Sequence, residues 1–227
     1  MSIDDYSADG KLAKQLASGL NKLNIESSGK QQQQLLVLLE TLYKWNKAYN
    51  LTAINQAKEG LKLHILDSLT LFDRFKSIST SKTSPKTILD VGTGAGFPGL
   101  PLAVLFPDLK FTLLDSNSKK IRFIRQTVHQ LGLKNVEPLH ARVESLQNRK
   151  FDVITSRAFA SLKDMLNLTV SLLDKNGVWL AMKGEFLEQD KIDLPAFSES
   201  KSVTQVVIPG VNAERCIVEL RLQSEDK

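Results

Sequence analysis

The stretch LDVGTGAGFPG, residues 89–99, holds four glycines directly after a run that is typical of a buried strand. Glycines between a strand and a helix allow a tight turn, let a ligand approach the backbone and present a helix N-terminus to a negative group. Two ligand sites fit the spacing. Residues 94–99 match the G-x-G-x-x-G of a dinucleotide-binding turn. Residues 90–96 match the acidic, glycine-rich first loop of an S-adenosylmethionine site, with Gly92 and Gly94 against the cofactor.

Two residues of this stretch favour S-adenosylmethionine over a dinucleotide. Asp90 stands two positions before the first glycine, where its carboxylate would repel a pyrophosphate but would attract the ammonium group of a methionine moiety. Pro98 lies where a dinucleotide-binding turn normally continues straight into its helix. Because proline is tolerated at the first position of a helix, this second argument is the weaker one.

Asp115 ends the next predicted strand, about twenty residues beyond the glycine loop, which is the spacing of a ribose-binding carboxylate. Such a carboxylate binds ribose hydroxyls in either cofactor class. The alternative is that Asp115 caps the following helix, a role also open to Ser116 and Ser118. The strand, the loop and the spacing agree, so ribose binding is favoured.

A helical extension precedes these residues and is predicted to span 1–76. Apolar side chains recur there every three or four positions, which indicates helices with one buried face, at Leu12, Leu16, Leu20 and Leu23 and again at Leu35, Leu38, Leu42, Trp45 and Tyr49. The four glutamines at 31–34 are expected to form a solvated first turn, and a third helix is predicted over 61–75. The polar stretch SISTSKTSPK, residues 77–86, is predicted to be a linker.

Residues 87–227 alternate strands with helices, which predicts a largely parallel sheet with helices on both faces. Strands are expected at 87–91, 111–114, 136–140, 151–156 and 178–182, and helices at 100–105, 119–131 and 162–173. Two late β-rich runs, 203–208 and 216–222, are joined by Pro209-Gly210-Val211-Asn212 as a hairpin. This closing hairpin is typical of methyltransferases and not of dehydrogenases. The predicted fold is therefore α/β, a Rossmann-like class I methyltransferase with a mostly parallel seven-stranded sheet and an antiparallel edge strand.

The composition of the chain limits which kinds of partner, metal site and cellular location are expected. The chain has 227 residues, of which 42% are hydrophobic, enough for one full core. A net charge of +5 fits a polyanionic partner and fits many proteins without one equally well. The single cysteine excludes a disulfide framework and a cysteine-cluster metal site. The acidic N-terminus resembles no signal peptide, and no apolar run is long enough to span a membrane. We expect a cytoplasmic protein without a membrane or metal partner.

Four motifs occur in order along the chain: YKWNKAYNLTAI at 43–54, HILDSL at 64–69, the glycine loop, and SRAFASL at 156–162. Together they closely resemble the bacterial small-subunit ribosomal RNA guanine-N7 methyltransferases, also called RsmG or glucose-inhibited division protein B. The resemblance runs from about 35 to 222. It implies methylation of one guanine in the 530 loop of 16S ribosomal RNA, with S-adenosylmethionine as donor and 16S RNA or the small ribosomal subunit as partner.

The resemblance also implies cofactor contacts at particular positions, namely Gly92, Phe97, Val143, Glu144 and Arg157. Val143 is a departure, because many members have alanine before the glutamate. A contact through the backbone amide of residue 143 would be unaffected, whereas a contact through its side chain would weaken binding.

The chemistry implied by the resemblance needs no general base. Guanine N7 is already a lone-pair nucleophile without a proton, so methyl transfer needs alignment and charge stabilisation only. Cys216 lies in a late β-run and is expected to be a core residue, not a nucleophile. Arg157 and Lys183 follow the fourth and fifth strands and are the catalytic candidates: Arg157 for cofactor carboxylate or RNA phosphate, Lys183 for guanine O6 or phosphate.

RNA binding requires a basic surface, and the helix at 119–131 offers one. Lys119, Arg122 and Arg125 lie on one side of it together with His129, opposite an apolar face. An ordinary solvated helix face explains the pattern slightly better than RNA binding. Arg142, beside the Val143–Glu144 pair, is a further RNA-binding candidate.

Two features before the loop keep two interpretations each. His64 and Asp67 are one helical turn apart, which fits a metal pair, but a hydrogen-bonding or packing role is favoured because no third ligand is near. Residues 49–52 either shape a rim that faces RNA or form a capped loop. Two other functions also stay open, a non-catalytic ribosome-assembly factor and a small-molecule methyltransferase with the extension as a lid. The oligomeric state is open, with a monomer favoured.

Overall fold

The computed structural model describes residues 10–80, 86–157, 159 and 161–223. The extension begins with two helices, α1 (Lys11–Lys22) and α2 (Gly29–Tyr49). Ser28 and Gln31 form a capping box at the start of α2, each bonding to the other's backbone N–H. Since the side-chain amides of Gln31 and Gln34 also donate to the carbonyls of Val104 and Leu131, the expected solvated turn is wrong. These glutamines tie the extension to the sheet domain.

The predicted helix at 61–75 is divided into several pieces. Short α3 (Ala57–Gly60) leads into a π-helix (Leu61–Leu66), then into α4 (Asp67–Leu69) and α5 (Phe72–Ser79). Helix α5 extends past residue 76, so the first residues of the predicted linker are helical. Its residues 81–85 lie outside the described ranges, as do 1–9 of the extension and 224–227 at the other end.

The sheet has seven strands in the order β3-β2-β1-β4-β5-β7-β6. Five parallel strands form its body: β1 (Thr87–Val91), β2 (Lys110–Asp115), β3 (Val136–His140), β4 (Phe151–Ser156) and β5 (Leu173–Lys183). The hairpin of β6 (Ser198–Gln205) and β7 (Cys216–Leu222) adds antiparallel pairing beside β5. The predicted fold class is confirmed. The strand that runs against the others, β7, lies next to the edge strand β6.

The connecting helices are α6 (Gly99–Leu105), α7 (Ser118–Leu131), α8 (Leu162–Thr169) and α9 (Glu188–Ile192). Four boundaries differ from prediction. Strand β5 begins at Leu173 instead of 178. Helix α8 ends at Thr169 because β5 already begins at Leu173. Strand β6 covers 198–205 instead of 203–208, and the hairpin connection runs over 206–215 instead of four residues. Ile208 is fully buried, so apolar burial of the connection imitates a strand pattern.

The extension and one face of the sheet share a single core. Leu16 of α1, Leu38 of α2 and Phe75 of α5 belong to the same buried cluster as Phe111 of β2 and Ile124 of α7. A separate cluster covers the other face, where α8 packs on Trp179. Each fully buried leucine contributes about 2 kcal/mol, so these contacts hold the extension firmly in place. Among the helices of the described ranges, none is long and apolar enough to cross a membrane.

Candidate active site

A cavity of about 530 Å³ opens at the carboxyl ends of β1, β2 and β4. This edge of a parallel sheet is where open α/β folds bind ligands, and the volume suits a nucleoside-sized molecule. Its lining includes most of the residues that the sequence singled out, namely Gly92, Gly94, Phe97, Asp115, Arg142, Val143, Glu144 and Arg157. The predicted cofactor residues are therefore brought together around one space.

The glycine loop forms part of the cavity wall on the side of the sheet. Gly92 and Gly94 have φ angles of +67° and +63°, a left-handed conformation that side chains other than glycine rarely adopt. A Cβ atom on Gly92 would lie 4.0 Å from the ring of Phe159, across open space. The turn therefore needs glycine at both positions, and it leaves a backbone surface that a ligand can approach.

Asp90 lies beneath this loop and is not part of the cavity lining. Its Oδ2 accepts hydrogen bonds from the hydroxyl of Thr93 at 2.6 Å and from the backbone N–H of Gly99 at 2.8 Å. The side chain is fully buried, and burial raises its pKa to about 6. The expected contact of Asp90 with an ammonium group does not fit this position. The carboxyl group instead joins the end of β1 to the start of α6.

Asp115 ends β2 at the wall of the cavity. Its Oδ2 accepts from the N–H of Gly94 at 2.9 Å, and its Oδ1 accepts from the N–H of Asn117 at 2.8 Å. The Nζ of Lys120 lies 3.7 Å from Oδ2. The cap of α7 is Asn117, whose side-chain oxygen accepts from the backbone of Lys119 and Lys120, so the alternative capping role for Asp115 is wrong. The carboxylate is free to face a ligand.

Arg157 follows β4 and points toward the extension. Its guanidinium donates to the carbonyl of Leu63 at 2.8 Å, to Oδ2 of Asp67 at 3.2 Å and to Nδ1 of His64 at 3.2 Å. It also stands over the ring of Phe97, with Cζ 5.4 Å from the centroid. Arg157 borders the cavity, but most of its donors are already used within the protein.

The protonation of His64 follows from its partners. A guanidinium has no acceptor, so Nδ1 of His64 must accept from Arg157, and Nε2 carries the hydrogen that points to the hydroxyl of Thr52 at 2.9 Å. Burial and then the charge of Arg157 lower the pKa of His64 to about 3. Its neutral ring stacks on Phe97 with centroids 4.8 Å apart. The favoured hydrogen-bonding role is confirmed, and no metal-binding cluster occurs within the described ranges.

The carboxylate of Asp67 forms ion pairs with two arginines. Oδ2 pairs with Arg157, and the Nε of Arg215, from the β6–β7 connection, lies 3.6 Å from Oδ1. The carboxyl group is almost fully buried, which raises its pKa, while both arginines act in the opposite direction. Arg157, Asp67 and Arg215 thus join β4, the extension and the hairpin in one ionic network around a buried carboxylate.

The cofactor candidates Val143 and Glu144 and the RNA-binding candidate Arg142 lie at a short turn after β3. Val143 and Glu144 begin a 3₁₀ turn (Val143–Ser145), and Arg142 precedes it. The side chain of Val143 is half-buried against the core that holds α8, whereas Arg142 and Glu144 are exposed. Because the side chain of Val143 packs on this core, the departure from alanine leaves its backbone available at the cavity.

Lys183 is the catalytic candidate that lies outside the cavity. Its Nζ forms an ion pair with Asp190 of α9 and stands 5.9 Å from the ring centroid of Phe186. The basic candidates on α7 are arranged as expected: Lys119, Arg122 and Arg125 are exposed, and none has an ion pair among the residues that the structure describes. They continue from the rim at Lys120, which does line the cavity.

The extension supplies a wall that composition and spacing did not predict. Leu51, Thr52 and His64 form the part of the lining that comes from the extension, and His64 meets the glycine loop where it stacks on Phe97. Asn50 ends α2 in a left-handed conformation, and Asn46 holds the turn through two bonds with the backbone of Thr52, at 2.9 and 3.1 Å. The capped-loop interpretation is therefore correct at this position. The only signal for the wall was that these residues fall in motifs shared with one family.

Comparison with known proteins gives a consistent result. A family model for rRNA small subunit methyltransferase G matches residues 31–218. The chain is 44% identical over 207 residues to ribosomal RNA small subunit methyltransferase G of Methylibium petroleiphilum, covering 91% of this chain and 93% of that one. The protein of the same description from Methylococcus capsulatus is 43% identical, covering 93% and 99%. A solved S-adenosylmethionine-dependent methyltransferase of Aquifex aeolicus shares the fold, with a TM-score of 0.51 and 20% identity over 71% of this chain and 91% of that one.

Proposed function

Because the chain belongs to the family of rRNA small subunit methyltransferase G, we propose that it transfers a methyl group from S-adenosylmethionine to N7 of a guanine in the 530 loop of 16S ribosomal RNA. The observation that carries this proposal is one cavity, with the glycine loop and Asp115 on one wall and the family's extension motifs on the other. The single chain supplies every part of the cavity described, which supports a monomer. Ribosomal RNA as the substrate implies a protein of the cytoplasm.

The polar groups on the sheet side of the cavity keep hydrogen-bonding positions without a partner among the described residues, and these positions fit S-adenosylmethionine. A carboxylate offers about four acceptor positions, and the loop amides of Gly94 and Asn117 occupy two of those on Asp115. The remaining positions are available to ribose hydroxyls. Gly92 leaves space for the methionine portion, and the turn at Val143 and Glu144 offers backbone and carboxylate groups to the adenine. When bound, the cofactor supplies an electrophilic methyl group on a sulfonium.

The residues on the extension side of the cavity can orient the reactants, but they accept no proton. Both ring nitrogens of His64 are engaged, and its pKa of about 3 keeps the ring neutral at physiological pH. Such a residue is a poor general base, and guanine N7 requires none. Phe97 is almost fully buried and contacts both His64 and Arg157, so it holds these two side chains in place. Phe159 offers an aromatic ring near Gly92 on which a base taken out of its stack would rest.

Basic side chains at the rim suit an RNA substrate. Lys120 and Arg142 border the opening, and Lys119, Arg122 and Arg125 continue along α7 without carboxylate partners among the described residues. Unpaired cations of this kind release counterions when they bind phosphates, so the affinity for RNA should fall as salt rises.

The test uses small ribosomal subunits from bacteria that lack this protein, incubated with the purified chain and labelled S-adenosylmethionine. Strand scission specific for N7-methylguanine then locates the product. We expect one new cleavage position, in the 530 loop, with the naked 16S RNA tested in parallel to identify the preferred form of the substrate. No label on either substrate would indicate a non-catalytic assembly factor, and label at another nucleotide would contradict the proposed target.

A further inference from the structure

A second depression, which we call the lysine groove, lies between α1, the segment of α3 and the π-helix, and the β6–β7 connection. It has a volume of about 330 Å³, and four lysines border it: Lys14, Lys22, Lys58 and Lys62. Leu61 and Leu66 form part of its floor. None of these lysines belongs to the cofactor cavity or to the basic side of α7.

The lysines are arranged along two facing helical segments. Lys14 and Lys22 are eight residues apart on α1, a rise of about 12 Å along one face. Lys58 and Lys62 are one turn apart on the opposite segment. The Nζ of Lys62 donates to the carbonyl of Gly210 at 2.9 Å, which fixes that ammonium at the groove. The positive charges are therefore spread along the groove instead of gathering at one point.

These charges have no compensation within the described part of the chain. Lys14, Lys22 and Lys58 are exposed and have no ion pair there, and the described lining contains neither an acidic nor an aromatic residue. Several unpaired ammonium groups around one depression attract an extended anion. Without aromatic rings to stack bases, the contact would be made to phosphates and would not read sequence.

The groove is separated from the cofactor cavity by a single helical segment. Within the π-helix, His64 faces the cavity, whereas Leu61, Lys62 and Leu66 face the groove. A Cβ atom on Gly19 of α1 would lie 2.5 Å from Cδ1 of Leu66, so α1 packs directly against this segment. A helix is about 10 Å across, a distance that a few nucleotides of a folded RNA easily span. π-Helical segments are frequent at functional sites.

We propose that the lysine groove binds the phosphodiester backbone of the substrate RNA, at phosphates beside the loop whose guanine enters the cavity. The inference rests on the proposed function, because it assigns a second contact to the same substrate. The groove supplies affinity and orientation without base recognition. RNA then contacts the enzyme on both sides of the π-helix, at the rim near Lys120 and at the groove.

The test compares two triple variants that remove equal charge. K14Q/K22Q/K58Q removes three of the four positive charges of the groove and leaves Lys62 bonded to the carbonyl of Gly210. The matched control is K76Q/K110Q/K175Q, in which Lys110 and Lys175 lie near the amino ends of β2 and β5 and Lys76 lies in α5. Methyl transfer to small subunits is measured over a range of subunit and salt concentrations. Binding of S-adenosylmethionine is measured separately.

For the groove variant we expect KM for subunits to rise at least about tenfold, with kcat and cofactor affinity unchanged. The slope of log affinity against log salt should weaken by about 2 to 3, since each of the three lost phosphate contacts contributes roughly 0.7 to 0.9. The control should behave as the wild type, and K14R/K22R/K58R should restore KM.

Two results would contradict the proposed role of the lysine groove and leave the proposed function intact. One is a groove variant that behaves like the control, and the other is a raised KM with an unchanged salt dependence. A wild type that methylates neither subunits nor 16S RNA would overturn the proposed function together with the groove. The wild-type measurement therefore separates failure of the function from failure of the groove.

Discussion

The two walls of the cavity use their polar groups in opposite ways. On the sheet side, Gly92, Gly94 and Asp115 present a bare backbone and a carboxylate with acceptor positions to spare. On the extension side, Thr52 and His64 are bonded to one another and, through Arg157, to Asp67. Free groups can bind a ligand, whereas groups that already have partners can only fix geometry. The sheet wall is therefore the binding wall and the extension wall is the positioning wall.

The largest expected effect is on the binding wall. Gly92→Asp should abolish measurable binding of S-adenosylmethionine, because a side chain and a negative charge would enter the cavity at a φ of +67°. Calorimetric titration measures the affinity. Gly132→Asp is the matched control, since Gly132 ends α7 at a φ of +65°, away from the cavity. Equal affinity in the wild type and the Gly92 variant would show that the loop does not hold the cofactor.

A smaller loss is expected at Asp115. Asp115→Ala removes the ribose acceptor and the partner of the Gly94 N–H, and it should weaken cofactor binding by about 10- to 100-fold. Asp108→Ala, at an exposed site outside the cavity, should leave the affinity unchanged. A variant at position 115 that binds like the wild type would remove Asp115 from the binding wall.

On the positioning wall, the expected loss is in stability. Arg157→Gln leaves Asp67 buried with only the longer contact to Arg215, so the free energy of unfolding should fall by about 3 kcal/mol. The double variant Arg157→Gln/Asp67→Asn should lose less, because no carboxylate is stranded. Arg149→Gln breaks the exposed pair with Glu137 and should cost under about 1 kcal/mol. Denaturant unfolding measures all three, and equal losses at 149 and 157 would contradict the network.

The smallest effect is on the pH dependence of stability, to which His64 of the positioning wall and Asp90 beneath the glycine loop contribute with opposite sign. The pKa of His64 is about 3 in the folded chain against 6.5 unfolded, so its contribution to stability is present above pH 6.5 and is lost as pH falls. The contribution of Asp90 has the opposite sign. Its pKa is about 6 in the folded chain against 3.8 unfolded, so the folded state gains stability as pH falls through 6.

When the pH falls from 7 to 5, the free energy of unfolding of the wild type should therefore fall by about 2 kcal/mol more than that of His64→Gln. Over the same range it should rise by about 1 kcal/mol relative to that of Asp90→Asn. Unfolding curves at the two pH values test both differences. A His64 variant with the pH dependence of the wild type would show that His64 is not held neutral.

The binding wall was largely predictable from sequence, because its information is local. The glycines and Asp115 follow strands whose register places them at one edge of the sheet. Asp90 shows the limit of this argument: its spacing was informative, but only packing shows that Thr93 and Gly99 occupy its carboxylate below the loop.

The positioning wall depends on contacts between distant parts of the chain, and spacing alone could not reveal it. The apolar pattern at 61–75 predicts one helix, whereas the structure has a π-helix and two separate helices there. Similarly, Lys183 stands at the carboxyl end of β5, where a ligand contact was predicted, yet its ammonium pairs with Asp190, seven residues later, which strand position alone does not indicate.

The most direct test of the binding wall is a calorimetric titration of the wild-type chain with S-adenosylmethionine and, in parallel, with NAD, since the glycine loop matches both cofactor motifs. We expect one molecule of S-adenosylmethionine to bind per chain and NAD to give no binding heat. Saturable binding of NAD without binding of S-adenosylmethionine would contradict the assignment of Gly92, Gly94 and Asp115 to the methyl donor.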